Sequence, residues 1–325
     1  MKKQLWTGLV ASIGMLVLIL DSKTALTGAQ QGVELCIRTV IPSLFPFFIL
    51  SAILTGSLIG TSTPVLRPLG RLFQLPNGAE SLLVAAFLGG YPVGAQSVTQ
   101  AWKRGQLSKQ DAQRLLSFSS NAGPAFLFGM VGAMFSRKWM VWLLWAIHIF
   151  SAWLVSFLFP PDDAKAHFGQ EQDVSLTAAL TASVKTMAQV CGWVVLFRVV
   201  ITFLNRWILW LLPAPWQVAL IGILELSNGC CELYAVADER LRFLICSGIL
   251  AFGGLCVTMQ TLSVTRGLSL RYYLAGKLLQ TLFSVALSAA VLYQLWYLAV
   301  SILLVFLIIP RKTQKRYSIP RKAVV

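Results

Sequence analysis

The stretch Ala85-Ala86-Phe87-Leu88-Gly89-Gly90-Tyr91-Pro92-Val93-Gly94-Ala95-Gln96 starts as an apolar membrane segment and breaks off at its paired glycines and proline. A second stretch, Ile221-Gly222-Ile223-Leu224-Glu225-Leu226-Ser227-Asn228-Gly229-Cys230-Cys231-Glu232, does the same around Ser227-Asn228-Gly229. In hydrocarbon each unpaired backbone N–H or C=O costs on the order of several kcal/mol, so a broken helix survives only when buried in protein or lining a wet cavity. Paired interruptions in corresponding places of two halves are a sequence pointer to a transporter's binding site. The two stretches therefore predict an all-α polytopic membrane protein of two inverted structural repeats, with re-entrant hairpins and broken helices.

Composition agrees. The 325 residues are 57% hydrophobic and 12% charged, with mean hydropathy +0.72; a soluble domain carries roughly 25% charged residues. Several apolar runs reach the ~18–20 residues that cross a bilayer, and about eight to ten membrane segments are expected. The net charge is +15, but six basic residues and no acid lie in the tail after Pro310, at Arg311, Lys312, Lys315, Arg316, Arg321 and Lys322. Others sit in short loops, as the positive-inside rule requires of a multi-pass protein in a bacterial cell membrane. Membrane lipids with anionic headgroups are thus the expected partner, at ~1 kcal/mol per basic residue near the surface, and nucleic acid is not. Cys36, Cys191, Cys230, Cys231, Cys246 and Cys256 mostly fall in apolar segments without a C-x-x-C pair, which is neither a zinc pattern nor a secreted disulfide framework.

The chain divides into an N-terminal membrane anchor helix (residues 1–30), a first repeat (31–160), a polar linker (161–175), a second repeat (176–272), a C-terminal helix or helix pair (273–310) and a basic cytoplasmic tail (311–325). Met1-Lys2-Lys3 and the apolar Leu5–Leu20 resemble a signal sequence but lack a small-residue cleavage site, so a retained helix is expected. A span over Thr39–Ile59 carries Pro42 and Pro46, which should kink it. Ser108 should cap a helix over Leu107–Leu116, with Asp111 as capping-box partner. Ser117–Phe135 is then interrupted at Ser119-Ser120-Asn121-Ala122-Gly123-Pro124, and Trp139–Phe159 closes the first half. The second half repeats this order: the span Thr181–Leu204, the broken Trp216–Ala237, a charged connector, and Phe243–Val264 loosened at Phe252-Gly253-Gly254. Gly276–Ile309 would be ~50 Å long as one helix, so two are expected.

Loop charge bears on topology. Arg67 and Arg71 precede the first broken segment, and Lys103, Arg104, Lys109 and Arg114 against Asp111 follow it. A hairpin turning at Gly89-Gly90-Tyr91-Pro92 keeps both basic loops inside, where a full crossing would not. Both termini are then cytoplasmic, with the first hairpin opening inside and the second outside. Arg137-Lys138 and Arg206 fall outside, against the rule.

The runs Ile41-Pro42-Ser43-Leu44-Phe45-Pro46-Phe47-Phe48, Gly89-Gly90-Tyr91-Pro92-Val93-Gly94-Ala95 and Asn121-Ala122-Gly123-Pro124 resemble the YlbJ-type sporulation integral membrane proteins. Ala251-Phe252-Gly253-Gly254-Leu255 with Gln260 beyond it extends the likeness over about Gly32 to Arg271. The resemblance implies a nucleoside-recognition or Gate domain, similar to part of the concentrative nucleoside transporters, with two re-entrant hairpins and two partly unwound helices. It also implies a link to sporulation or envelope development.

Glu225 and Glu232 lead the candidate substrate-binding residues, because an ionisable group in a membrane segment costs at least ~2.5–3.5 kcal/mol and normally faces a partner or water. One of them could bind a substrate hydroxyl or amine or take up a proton; alternatively, Glu225 pairs with a basic group and Glu232 is interfacial. Gln96, Asn121, Asn228 and Gln260 lie in or beside the breaks, and amides offer the donors and acceptors that a base or sugar edge requires. Ser120, with Ser119, Ser227 and Thr258, could add hydroxyls or satisfy freed backbone groups. Arg198, inside an apolar helix, could hold an anion or a glutamate of the second hairpin, whereas Lys185 should snorkel and His148 reads as structural. Gly89, Gly90, Pro92, Gly94, Gly123, Pro124, Gly229, Gly253 and Gly254 make the helix breaks, whose half-helix ends aim partial charges at a cavity.

No G-x-S-x-G, H-E-x-x-H, Walker A or G-x-G-x-x-G motif is present, and the chain has two histidines, so an enzyme is not expected. Metal ligands and cofactors are expected to be none, apart from a coupling proton or sodium. Transport of a small polar solute, nucleoside-like by resemblance, is the expected function. The alternative is a non-transporting scaffold that assembles a membrane complex, with a second copy or another membrane protein as partner.

Overall fold

The computed structural model describes residues 2–58, 64–162 and 175–308. His167, most of the polar linker and the basic tail lie outside the described residues. Within them every regular element is helical.

Helix α1 (Lys2–Leu20) ends at Asp21, whose carboxylate accepts from Thr24 N at 3.3 Å and starts α2 (Ser22–Leu35). One π-helical turn at Cys36–Val40 joins α2 to α3 (Ile41–Leu58). Pro42 and Pro46 lack the N–H groups that would bond one turn back, and the irregular turn lies directly before them. The Ser43 hydroxyl donates to Thr39 O at 2.7 Å and Val40 O at 3.2 Å. The expected span from Thr39 thus begins much earlier: Ser22–Leu54 is one continuous candidate span of 33 residues.

After α4 (Arg67–Leu72) come α5 (Glu80–Gly89), α6 (Val93–Lys103), α7 (Lys109–Ser119), α8 (Pro124–Gly129) and α9 (Lys138–Ser156). The second half follows with α10 (Leu176–Trp207), α11 (Ala214–Leu224), α12 (Leu226–Cys231), α13 (Glu239–Phe252) and α14 (Gly254–Val264). Then α15 (Arg271–Leu292) and α16 (Trp296–Ile308) form the expected C-terminal pair. Ser108 caps α7 as anticipated, its hydroxyl accepting from Asp111 N at 3.0 Å, while the Asp111 carboxylate accepts from Asp162 N. The candidate membrane spans are Ser22–Leu54, Lys138–Ser156, Leu176–Trp207, Glu239–Val264 and Arg271–Leu292, five in all among the described residues. Shorter apolar helices cover Gln4–Leu20, Glu80–Gly89 and Ala214–Leu224. The chain is an integral membrane protein.

Helices α2 and α10 pack side by side in opposite directions. A Cβ on Gly28 would stand 2.9 Å from Val199 Cα, and one on Gly32 2.8 Å from Val195 Cα, while Cys36 Sγ lies 3.7 Å from Cys191 O. Small residues let membrane helices approach this closely. Asp21 and Arg206 pair at 3.1 Å at one end of the seam. A core from both halves, including Leu44, Phe126 and Leu144 with Val190, Leu226 and Leu250, joins them.

Arg114 differs from its reading as a loop charge. It is buried and donates to Phe73 O, Gln74 O, Ser156 O and Phe159 O at 2.8–3.0 Å. Its planar donors fasten α7 to the carbonyl end of α9 and to the turn before α5. The loop charge on this side then rests on the exposed Lys103, Arg104 and Lys109.

Candidate functional site

Four interruptions converge. The first separates α5 from α6 at Gly90-Tyr91-Pro92, and Gly90 has φ +71°, a value that glycine adopts freely and β-carbon-bearing residues do not. The second separates α7 from α8 over residues 120–123, the third lies at Glu225 between α11 and α12, and the fourth at Gly253 (φ +81°) between α13 and α14. The first and second touch backbone to backbone, as do the third and fourth, and the fourth meets the first through the Tyr91 ring. A Cβ on Gly90 would meet Gly123 N at 2.8 Å, one on Gly254 would meet Gly222 O at 3.1 Å and Leu226 N at 3.3 Å, and one on Gly253 would meet the Tyr91 ring at 3.0 Å. Gly229 of α12 lies against Gly222 of α11 with no room for a side chain between them.

Where the interruptions meet is a cavity of about 30 Å³, lined in part by Tyr91, Gly123, Glu225, Ser227 and Gln260. Glu225 is 2% exposed. Its Oε2 accepts from Asn228 N and Asn228 Nδ2, both at 2.7 Å, so the carboxylate caps the start of α12. Asn228 Oδ1 faces the other way and accepts from Arg198 Nη1 at 3.2 Å. The same nitrogen donates to Glu232 Oε1 at 3.2 Å, and Arg198 Nε donates to Gln31 Oε1 at 3.1 Å. A polar chain therefore runs from exposed Gln31 on α2 through Arg198 and Asn228 to buried Glu225.

The expected arginine–glutamate contact is present, with Glu232 as the partner. Among the described residues no basic side chain pairs with Glu225. Gln96 bonds Thr186 of α10 at 3.4 Å and is not among the cavity's lining residues. The Ser119 and Ser120 hydroxyls are buried without a hydrogen-bond partner among the described residues. The Thr258 hydroxyl bonds back to Gly254 O in its own helix, and Lys185 is exposed, as snorkelling requires.

Asn121 belongs to a second buried cluster, built around a residue that the sequence reading passed over. Lys277 of α15 is 1% exposed, and its Nζ donates to Tyr91 OH at 2.7 Å, Gln280 Oε1 at 2.9 Å and Ala251 O at 3.1 Å. Gln280 Nε2 donates in turn to Asn121 Oδ1 at 2.7 Å and His148 O at 3.3 Å. His148 Nε2 accepts from Ala122 N at 3.2 Å, so this histidine braces the second interruption. The signal was periodic: Lys277, Gln280, Ser284 and Ser288 recur at helical spacing along an otherwise apolar helix, and all four are buried. A polar stripe of this kind marks a face turned toward protein or water.

No protein-family profile matches the chain, and no solved structure matches it. Among curated proteins it is similar to the sporulation integral membrane protein YlbJ of Bacillus subtilis (strain 168), 25% identical over 324 aligned positions that cover 83% of this chain and 78% of the relative. The interruptions at Gly89–Ala95, Asn121–Pro124 and Ala251–Leu255 thus stand in a chain that is, at the family level, a homologue of the YlbJ-type sporulation integral membrane proteins.

Proposed function

We propose that the chain carries a small polar solute across the membrane by alternating access, with the α5–α6 and α11–α12 pairs acting as re-entrant hairpin gates over a site at Glu225. The observation that carries this reading is the meeting of four helix interruptions beside one small cavity, whose mostly apolar lining carries Glu225, Ser227 and Gln260. Element order supports an inverted repeat: a long helix, a helix–break–helix pair, a broken helix and a span occur in α2–α9 and again in α10–α15. The first helices of the two series run antiparallel, as an inversion requires. Both hairpins would then stay within the bilayer from opposite sides, with both termini cytoplasmic.

Size decides the state described. A water needs roughly 10–15 Å³ of such space, so the 30 Å³ cavity holds about two waters. A drug-sized ligand needs about 300 Å³ or more. A solute therefore enters only when a hairpin swings away, and the Gly90–Gly123 and Gly254–Leu226 contacts are where the parting occurs. Glu225, Ser227 and Gln260 line the cavity with a carboxylate, a hydroxyl and an amide, a set suited to hydroxyl and N–H groups such as those of a nucleoside, and Asn228 holds the carboxylate in place. The nucleoside class and the Gate-domain name rest on family resemblance, and a sporulation or envelope role rests on the relative's name. Binding and translocation, with no enzymatic step, is the activity proposed.

The test is a thermal-shift screen of the purified protein against nucleosides, bases, amino acids and small anions. A solute at 100 times its dissociation constant stabilises by ~2.7 kcal/mol. A reproducible shift that Glu225→Gln or Asn228→Ala abolishes is the expected result. The small cavity also favours a second reading, a membrane scaffold assembled with a second copy or another membrane protein. That reading predicts no shift anywhere in the panel and loss of function on deleting residues 311–325.

A further inference from the structure

Helix α13 ends inside the protein, at Phe252, so its last carbonyls lack intrahelical partners and carry the negative end of a helix dipole. In membrane transporters such buried half-helix ends are where a coupling sodium ion is held. Here two side chains take the exposed oxygens. Tyr91 OH donates to Leu250 O at 3.2 Å, and Lys277 Nζ donates to Ala251 O at 3.1 Å. The remaining donors of Lys277 meet Tyr91 OH and Gln280 Oε1, which makes three oxygen partners for three N–H bonds. The Nζ also lies 4.9 Å from the centre of the Tyr91 ring. Among the described residues no carboxylate pairs with Lys277. An ammonium surrounded by a carbonyl, an amide oxygen, a phenol oxygen and an aromatic ring has the surroundings of a bound monovalent cation.

We infer that Lys277 is the protein's own cation at this junction, tethered where an alkali ion would otherwise bind, so that solute movement is not coupled to sodium here. The statement about coupling rests on the transport reading above; the assignment of the site does not. Through its three partners the ammonium ties together the first interruption (Tyr91), the second (Asn121, by way of Gln280) and the fourth (Ala251). No free ion has to arrive for these segments to close on one another.

The experiment measures thermal unfolding of the full-length protein in lipid nanodiscs, in choline, sodium and methylammonium chloride at equal ionic strength. Wild type, Lys277→Ala and Lys277→Met are compared. The wild-type midpoint is expected to be the same in all three salts. Lys277→Ala should unfold several degrees lower in choline and regain at least half of that loss in methylammonium, which replaces the missing head group by mass action. Lys277→Met fills the space with an apolar chain and should not respond. A wild-type midpoint that rises in sodium, or equal salt responses of the two variants, overturns the inference. If Lys277→Ala does not fold, the wild-type salt series decides alone: a flat response supports the assignment and a sodium-dependent one contradicts it. No solute enters this experiment, so its failure leaves the transport reading standing, and a failed solute screen leaves the cation assignment standing.

Discussion

The broken segments at Tyr91, Asn121 and Ala251 are held by a cation, and the one at Glu225 by an anion. Tyr91 and Asn121 are gathered by Lys277 and Gln280, which reach in from α15. Leu226 to Cys231 is instead capped from within, by Glu225 only three residues before Asn228. The first arrangement is long-range and disappears if α15 shifts. The second is local, completed by Arg198 from α10. This asymmetry indicates that two segments of like design meet different demands: the α5–α6 pair is clamped to the rest of the protein, while the α11–α12 pair carries its own charge beside the cavity.

The largest effect expected bears on the packing of α12 against α11. Gly229→Val would force a branched side chain onto Gly222, and overpacking of this kind costs about 1–3 kcal/mol or more. Thermal unfolding should show the largest drop of any single change named here, whereas Gly192→Ala, where a Cβ meets nothing within 4 Å, should be neutral or stabilising by about 0.5–1 kcal/mol. Equal losses at both positions would remove the close-approach argument.

Next comes the local cap. Glu225→Ala leaves two buried Asn228 donors unpaired, at about 1–3 kcal/mol for an unsatisfied buried group. Glu225→Gln keeps an acceptor in place and should lose less than half as much. Combining Glu225→Ala with Lys277→Ala sharpens the contrast between the two clusters: independent clusters add to within ~0.3–0.5 kcal/mol, and a larger coupling would show them to be one unit. Arg198→Met should cost about 1 kcal/mol through the lost bonds to Asn228, Glu232 and Gln31, and in the solute screen it should weaken binding without abolishing it. The smallest effect belongs to Asp21→Asn at the seam end. Arg206 is largely exposed there, and such pairs contribute about 0.2–1 kcal/mol.

The interruptions were legible because glycine, proline and amide residues disturb a helix locally, whatever surrounds it. Gly90, Gly123 and Gly253 could be placed for that reason, and so could Ser108 as a cap. The early start of the Ser22–Leu54 span was not legible: Gln30, Gln31, Glu34 and Arg38 depress hydropathy there, and the helix is sustained by the approach of Gly28 and Gly32 to α10. The cap at Glu225 was hidden for a different reason, since Ser, Thr, Asp and Asn are the residues expected at that position. Lys277 was concealed by distance, because its partners Tyr91 and Ala251 lie 186 and 26 residues away in sequence. The cluster of Asn121 with Asn228 and Gln96 expected from the sequence divides in space, each amide joining a different partner set.

Access to the cavity from both sides is the central claim, and cysteine labelling tests it most directly. Ser227 lines the cavity and is 6% exposed. In a background with the native cysteines replaced, Ser227→Cys in sealed proteoliposomes is treated with a membrane-impermeant maleimide applied to one face or the other. The account predicts slow labelling from each face, and protection by any solute found in the screen. Labelling from neither face, or from one face alone, while a control at an exposed position such as Leu88→Cys keeps its own fixed pattern, would contradict alternating access.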